Sequence, residues 1–205
     1  QLCGAGEIGV RFMADGVVEL TATPRDVAGP IDEELTAALL GDVGLSPADL
    51  AGPAWVAGTG LSFVHLPVAE DAVSRARPSF TPLSEYVDRF TAVGETRDPI
   101  EGVNLHHASG EAPELTVRSR VFVPGLDVAE DPATGSAAAG LGIALVATGR
   151  LPEGGRYTIT QGVELGRPSR LFGRVEVVDG VATRCHVAGH VQKVASGQIA
   201  VPSVG

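Results

Sequence analysis

The sequence EDPATGSAAAGLGIALVATG, residues 130–149, decides how this chain folds. Its second part, from Ala137 to Thr148, carries no charged side chain, and alanine and glycine dominate the first half of that run. A helix that is apolar on every face must be buried on every face, and small side chains let neighbouring strands approach it closely. The stretch therefore predicts a central helix over residues 136–148 that other elements enclose.

The rest of the chain predicts mostly short strands, because 27 glycines and 14 prolines divide its 205 residues. Asp15-Gly16 and Asp179-Gly180 are typical of two-residue hairpin turns, and they predict hairpins over 7–23 and 169–191. Helices do not alternate regularly with strands, which favours strands wrapped around one helix over a parallel βαβ sheet. Further strands are predicted at 54–57, 62–66, 102–107, 114–123, 156–161 and 196–201, and helices at 31–40, 69–77 and 83–90.

Composition and charge exclude several classes of protein. Hydrophobic residues make up 44% of the chain and its net charge is −10, so it is neither disordered nor suited to nucleic acid or an anionic membrane. The longest apolar run, from Ala137 to Thr148, is shorter than the ~20 residues of a membrane span. Two cysteines make no disulfide framework, which predicts a reduced, cytoplasmic protein.

The heptad EDPATGS, residues 130–136, places a carboxylate just before the buried helix. Pro132 restrains Asp131 to an extended conformation, and the first turn of the helix offers unpaired N–H groups with a partial positive charge. This arrangement predicts a carboxylate or phosphate site, with Asp131 beside it as proton donor or acceptor. The substrate-binding candidates open the helix: Thr134, Gly135, Ser136 and Ala137. A plain N-terminal cap is the alternative interpretation.

The histidines and cysteines do not indicate a metal centre or a nucleophile. His106 and His107 are adjacent on a predicted strand, so their side chains face opposite sides, one toward the core and one toward solvent. Neither Cys3 nor Cys185 lies near the heptad, which argues against a catalytic cysteine pair. We therefore predict chemistry without a metal or an organic cofactor.

Four segments of the chain carry a family resemblance: RSRVFVP at 118–124, EDPATGSA at 130–137, QG at 161–162 and GRPSR at 166–170. In this order they resemble the phenazine-biosynthesis PhzF-like proteins, which share the diaminopimelate-epimerase fold. The resemblance implies an α+β protein with two pseudo-symmetric lobes, each a β-barrel around a central helix. It also implies an active site in the cleft between the lobes, where the N-termini of the two helices face each other.

The first of these lobes is expected to be incomplete in this chain. The resemblance implies an N-terminal segment with an Asn-Pro signature, a catalytic glutamate and a Gly-His motif, and the sequence contains no match to it. Residues 1–40, joined by 196–205, are then the remainder of the first lobe, and residues 41–195 are the second. A weak echo between GEIG at 6–9 and VELG at 163–166 is consistent with two similar lobes.

An incomplete first lobe has a consequence for its surface. The apolar positions of the first hairpin lack a helix to cover them, so we expect an exposed patch made of Ile8, Val10, Phe12, Val17 and Leu20. Another segment, a complementing chain or a second copy in a homodimer would cover this patch.

The resemblance implies an isomerase or epimerase that transfers a proton on a small carboxylate-bearing metabolite, in secondary-metabolite biosynthesis. Asp131 is the catalytic candidate in this chain, and the glutamate that the family uses as acid and base is expected from outside it. The alternative is a catalytically incomplete lobe that binds a ligand or complements a partner chain.

Overall fold

A curved, mixed β-sheet around one buried helix is the central feature of the computed structural model of this chain. The structure describes residues 2–3, 6–13, 16–79, 81–86, 88–90, 100–124, 129–198 and 200, and gives no side-chain detail for residues 2, 3, 6, 7 and 26. The strands are β1 Leu2–Cys3, β2 Gly6–Glu7, β3 Gly9–Phe12, β4 Val17–Ala22, β5 Asp26–Ala28, β6 Trp55–Gly58, β7 Ser62–Pro67, β8 Ile100–Glu111, β9 Glu114–Phe122, β10 Glu130–Asp131, β11 Gly155–Gln161, β12 Ser169–Val178 and β13 Val181–His190. The helices are α1 Glu33–Asp42, α2 Glu70–Arg75 and α3 Gly135–Ala147, with 3-10 turns at Pro47–Asp49 and Leu83–Tyr86.

The main sheet has 11 strands and forms a half-barrel around α3. Its order is β3-β4-β13-β12-β11-β9-β8-β7-β6-β5, and β10 pairs with β9. The β11–β9 and β7–β8 pairs are parallel, and the remaining neighbours run antiparallel. Strands β6 and β13, far apart in this order, both contact the helix. The prediction of a central helix wrapped by strands is therefore confirmed.

Helix α3 is buried as its composition predicts. It begins and ends one residue earlier than the predicted 136–148, and every residue from 137 to 145 is buried. Its glycines permit the close approach of neighbouring elements: a Cβ at Gly140 would lie 2.7 Å from the Ala57 carbonyl oxygen, and one at Gly142 would lie 2.5 Å from the Tyr157 hydroxyl. The Tyr157 hydroxyl donates to the Ala138 carbonyl at 2.9 Å. Small residues on α3 thus let the sheet close around it.

The opposite face of the β5–β9 half of the sheet is covered by α1 and α2. This second core contains Leu35, Leu39 and Leu40 of α1, Ala72 and Val73 of α2, and Val64, Leu66 and Leu105 of the sheet. The middle of the sheet is therefore covered on both faces, and residues 62–66 of β7 are all buried. In the part of the chain that the structure describes, no helix is long and apolar enough to cross a membrane.

The first hairpin joins the main sheet, because β4 pairs with β13. Its apolar patch is exposed at Val10, Phe12 and Leu20, which keep 37%, 79% and 42% of their surface accessible. Val17, predicted in the same patch, is instead buried at 8%. Gly16 adopts a positive φ of 80°, as the turn requires, whereas Asp15 lies outside the described residues.

Two predicted elements differ from the structure in the part of the chain that can be compared. The helix predicted over 83–90 is a 3-10 turn at Leu83–Tyr86 followed by α-helical residues at 88–90, and residue 87 lies outside the described residues. The strand predicted over 196–201 does not form at 196–198 or at 200; residues 199 and 201 are not described. Short apolar runs decide poorly between helix and turn, since packing outweighs propensity there. The division of the chain into lobes at residue 40 stays a prediction.

A buried polar network lies on β7, β8 and β9. The Asn104 amide donates to His65 Nδ1 at 3.1 Å, and the Ser119 hydroxyl donates to the Asn104 side-chain oxygen at 2.5 Å. His106 Nδ1 lies 3.4 Å from the Asn104 carbonyl oxygen. Burial lowers the pKa of His65 to about 3 and that of His106 to about 4. Both imidazoles are therefore neutral in the folded protein. The predicted core position of a histidine in the 106–107 pair is confirmed for His106, while His107 is half-buried.

His65 and His106 make stability sensitive to acid. Unfolding restores their ordinary pKa of 6.5, so their contribution to the free energy of unfolding is constant above that pH and falls as the pH drops toward 4. The expected slope is about 1.4 kcal/mol per pH unit for each histidine. Urea unfolding across this range would measure it. His106→Gln should remove one histidine's share of the slope, with His190→Gln at an exposed position as the matched control. An unchanged slope in His106→Gln would contradict the assignment.

Packing against Tyr157 should make Gly142→Ala destabilising, although alanine is the better helix former by about 1 kcal/mol. The added methyl meets the Tyr157 hydroxyl, and overpacking of this kind costs about 1–3 kcal/mol. Tyr157→Phe removes the obstructing oxygen and should recover most of the loss in the double variant. Gly140→Ala, whose methyl meets the Ala57 carbonyl and the His65 ring instead, should not be rescued by Tyr157→Phe. Thermal unfolding of the three single and two double variants tests this, and equal behaviour of the two glycines would refute it.

Candidate active site

The heptad is held at one end of the half-barrel by strand pairing. Strand β10 pairs antiparallel with β9, with Glu130 opposite Phe122 and Asp131 opposite Val121. The chain then turns at Pro132, and Thr134 becomes the residue that precedes the first turn of α3. Asp131 is consequently presented beside the N-terminus of the buried helix.

A buried ion pair fixes β10 in this place. Arg120 on β9 donates from Nε and Nη2 to the two carboxylate oxygens of Glu130, at 2.9 and 2.7 Å. Its Nη1 donates to the carbonyl oxygens of Val73 and Ala76, at 3.2 and 2.6 Å. Arg120 and Glu130 are only 4% and 5% exposed. The guanidinium therefore joins the heptad, the sheet and the C-terminal end of α2. Sequence reasoning missed this role, although both residues lie in the segments that carry the family resemblance.

Asp131 and Thr134 are brought together by the turn. The Thr134 hydroxyl donates to Asp131 Oδ2 at 2.9 Å, and the Ala133 N–H donates to Oδ1 at 3.3 Å. Asp131 is half-buried, whereas Thr134 is 8% exposed. The carboxylate is thus held in one orientation and stays accessible from solvent.

Gln161, at the end of β11, supports the same turn. Its Nε2 donates to the Asp131 carbonyl oxygen at 2.7 Å and to Thr134 Oγ1 at 2.9 Å, and its Oε1 accepts from the Thr134 N–H at 3.3 Å. The following residue, Gly162, has a φ of 76°, and a Cβ there would lie 2.7 Å from the Pro132 carbonyl oxygen. Only glycine lets the strand turn away so close to the heptad. Sequence reasoning placed Gln161 in a resembling segment without a role.

The first turn of α3 is left without a side-chain cap. Within the described part of the chain, the backbone N–H groups of Gly135, Ser136 and Ala137 have no hydrogen-bond acceptor. Gly135 and Ser136 are half-buried, and a Cβ at Gly135 would meet nothing within 4 Å. The end of the helix therefore opens onto free space beside Asp131. A plain N-terminal cap, the alternative interpretation of the heptad, does not describe this geometry.

The five predicted site residues lie in one place but differ in what they can offer. Asp131 and Thr134 contact each other through their side chains, and Gly135 and Ser136 line the open end of the helix. The Ala137 side chain instead packs in a small apolar cluster with Phe63, Val121 and Val123. Ala137 can therefore contribute only its backbone N–H.

Other polar groups near the site are paired or buried. Glu164 accepts from Arg118 Nη2 at 2.6 Å and lies 3.8 Å from Arg120 Nε. Burial raises the pKa of the Cys185 thiol to about 12, so this cysteine is a poor nucleophile; the side chain of Cys3 is not among those described. No group of His, Cys, Asp and Glu in the described residues could hold a metal ion.

Comparison with known proteins identifies the family. The sequence model of the phenazine biosynthesis-like protein family (PhzC-PhzF) matches residues 21–197, and the chain belongs to that family. The trans-2,3-dihydro-3-hydroxyanthranilate isomerase of Pseudomonas aeruginosa is 39% identical over 103 residues, 45% of this chain and 37% of that protein. The protein of the same name from Pseudomonas fluorescens is 37% identical over 128 residues, 62% of this chain and 40% of that protein. The chain thus spans about two fifths or less of the length of these relatives.

Solved structures support the fold. A predicted epimerase from Pseudomonas aeruginosa aligns with a TM-score of 0.65 at 29% identity, over 91% of this chain and 59% of that one. The PhzF-family phenazine biosynthesis protein of Bacillus anthracis aligns with a TM-score of 0.67 at 18% identity, over 91% of this chain and 62% of that one. The predicted relation to the epimerase and PhzF-type fold is confirmed. Two pseudo-symmetric lobes and an incomplete first lobe stay predictions.

Removing one partner of the Arg120–Glu130 ion pair should strongly lower the stability of the protein. Arg120→Met leaves the Glu130 carboxylate buried without a partner and should destabilise the protein by about 3–5 kcal/mol. The double variant Arg120→Met/Glu130→Met removes the unpaired charge and should recover much of that loss. Arg75→Met, which breaks exposed contacts to Asp49 and Asp71, is the surface control and should change stability little. Chemical denaturation measures all four proteins. A double variant as unstable as Arg120→Met would contradict this reading of the pair.

Proposed function

We propose that this chain carries part of the active site of a cofactor-independent isomerase, which binds a small carboxylate-bearing metabolite and transfers one of its protons. The observation that carries the proposal is the uncapped, open first turn of α3 beside the Asp131 carboxylate. Idle N–H groups at a sheltered helix end are costly unless an acceptor arrives. Membership of a family whose relatives are named isomerases supports the same function.

The first turn of α3 is the binding element in this proposal. The N–H groups of Gly135, Ser136 and Ala137 point out of the helix end, where the partial positive charge of the helix favours an anion. Gly135 leaves room for the ligand to approach the backbone, and the Ser136 hydroxyl supplies a further donor. A substrate carboxylate or a developing enolate oxygen fits these donors.

Asp131 is the proton-transfer group in this proposal. One hydrogen bond holds each of its carboxylate oxygens, so each keeps a lone pair directed toward solvent or substrate. A carboxylate in a fixed position next to bound substrate can accept or return a proton. This chain therefore supplies one proton-transfer group, Asp131, and one group that stabilises negative charge, the N-terminal end of α3.

The second acid–base group is proposed to come from elsewhere. The resemblance implies a glutamate opposite Asp131, yet the nearby glutamates, Glu130 and Glu164, are each held by arginine. Another segment of the protein, a second copy in a homodimer or a complementing chain would supply it. Such a partner also fits the exposed apolar side chains of Val10, Phe12 and Leu20. A lobe that only binds a ligand or complements a partner is the alternative, which the isomerase names of its relatives do not favour.

The names of two relatives support a proposal for the substrate class. Two of them are named as isomerases of trans-2,3-dihydro-3-hydroxyanthranilate, a cyclic amino acid with one carboxylate. We infer a related small carboxylate in secondary metabolism, acted on in the cytoplasm.

Asp131→Asn should lower turnover about 10²–10⁴-fold in the whole protein, because an amide cannot accept the substrate proton. Thermal stability should fall far less than turnover, since the asparagine oxygen can still accept from the Ala133 N–H and its amide nitrogen can donate to the Thr134 hydroxyl oxygen. The assay is deuterium incorporation from heavy water into trans-2,3-dihydro-3-hydroxyanthranilate.

Asp179→Asn, in the β12–β13 turn, is the matched control and should leave exchange unchanged. Full exchange by Asp131→Asn would reduce Asp131 to a structural residue. Failure of the unaltered whole protein to exchange any proton would favour the ligand-binding alternative.

A further inference from the structure

We propose that Gln161 is a positioning residue that holds the Thr134 hydroxyl on Asp131 and thereby keeps Thr134 from capping α3. The inference rests on the proposed function, because it concerns the same Asp131 and the same helix end. Gln161 itself touches neither substrate nor reacting atoms in this arrangement. It acts through the conformation of Thr134.

Thr134 occupies the position at which threonine normally caps a helix. A threonine there usually accepts a hydrogen bond from the backbone N–H two or three residues later. In this structure it makes no such bond, and its hydroxyl hydrogen goes to Asp131 Oδ2. One of the two acceptor sites on its oxygen is taken by Gln161 Nε2. Threonine is suited to capping a helix, but hydrogen bonds with Asp131 and Gln161 direct this side chain away from α3.

The amide of Gln161 is fully committed. Both hydrogens of Nε2 are donated, one to the Asp131 carbonyl and one to Thr134 Oγ1, while Oε1 accepts from the Thr134 N–H. A flipped amide would bring an oxygen against the Asp131 carbonyl and lose all three bonds. Gln161 is 1% exposed and lies within the sheet, opposite Ser119 on β9 and Ser169 on β12. The sheet thus holds Gln161 in a fixed position, and Gln161 in turn holds the Thr134 side chain.

Without Gln161 Nε2, only the hydrogen bond to Asp131 Oδ2 holds the Thr134 oxygen away from the helix. Rotation about χ1 would let it accept from the Ser136 or Ala137 N–H, as a threonine at this position ordinarily does. The helix end would then be satisfied internally and lose its use for a carboxylate. Stability and ligand binding should therefore respond differently to the loss of Gln161, because the new cap offsets part of the lost hydrogen bonding.

The test compares four forms of the whole protein: unaltered, Gln161→Met, Thr134→Val and the double variant. Affinity is measured by calorimetry for anthranilate and for anthranilamide, which lacks the carboxylate. We expect Gln161→Met to weaken anthranilate binding by about tenfold or more, the loss typical of hydrogen bonds to a charged group, with little change for anthranilamide. Gln192→Met, the same substitution at an exposed position, should change neither affinity.

The double variant is the decisive comparison. Valine has the shape of threonine but cannot cap the helix, and the hydroxyl that it removes donates to Asp131 and not to the ligand. Thr134→Val and Gln161→Met/Thr134→Val should therefore both bind anthranilate about as well as the unaltered protein. Thr134→Val should lower kcat with little change in KM, because Asp131 loses its hydroxyl partner. A double variant that binds as weakly as Gln161→Met would overturn the inference and leave Gln161 a purely structural residue.

A second readout does not depend on ligand binding. The χ1 angle of Thr134, from NMR coupling constants, should change in Gln161→Met. If that variant fails to fold, Gln161→Glu keeps the acceptor for the Thr134 N–H but loses both donors, and the same change is expected. An unchanged Thr134 rotamer would refute the positioning role. Equal affinity of the unaltered protein for anthranilate and anthranilamide would instead refute the proposed carboxylate site, and the rotamer measurement would still decide the role of Gln161.

Discussion

The enclosure of α3 by the half-barrel is the constraint on which the rest of the structure depends. Sheet and helix approach so closely that two positions on α3, Gly140 and Gly142, have no room for a Cβ. A helix in such a position cannot leave the polar groups at its ends to bulk water, so every one of them has to find a partner nearby. The local structure at both ends of α3 follows from this requirement.

At the N-terminal end the side chains of the turn do not meet this requirement, because they bond to one another and leave the first N–H groups of the helix open. Asp131, Thr134 and Gln161 bond to one another and to the backbone of the turn. The Arg120–Glu130 pair anchors this group to β9 and α2. A buried ion pair contributes little net stability, so its value here is geometric: it sets where Asp131 stands relative to the helix.

Much of this architecture could be predicted from the sequence, because its main signals lie in short continuous segments. An uncharged run of alanine and glycine has one physical solution in water, so residues 136–148 indicated both the helix and its burial. Asp179-Gly180 indicated the β12–β13 turn by the same local logic, with Asp179 at a φ of 51°. The strands of the sheet could be placed, but their pairing could not, since β9 pairs in parallel with β11 through contacts that no local pattern encodes.

The candidate site could be predicted only in part, because some of its residues lie far apart in the sequence. Asp131 and the helix opening are contiguous in the chain, so the heptad showed them together. Gln161 lies 27 residues beyond Thr134, and its role depends on the parallel register of β11 against β9. His65 and Asn104 meet through pairing of β7 with β8, which no spacing reveals. Side chains that act through long-range pairing leave no local signal.

The two ends of α3 finally differ in a way that points to the ligand site. At the C-terminal end the Thr148 hydroxyl donates to the Ala144 carbonyl at 2.9 Å, and the Leu145 carbonyl accepts from the N–H groups of Arg150 and Leu151 at 2.9 and 3.0 Å. That end is closed by the chain's own groups. The N-terminal end carries a threonine that could close it and does not. The half-barrel encloses both ends of α3, yet only the backbone groups of the C-terminal end find partners in the chain. The open N–H groups of the N-terminal end therefore point to a ligand as their partner.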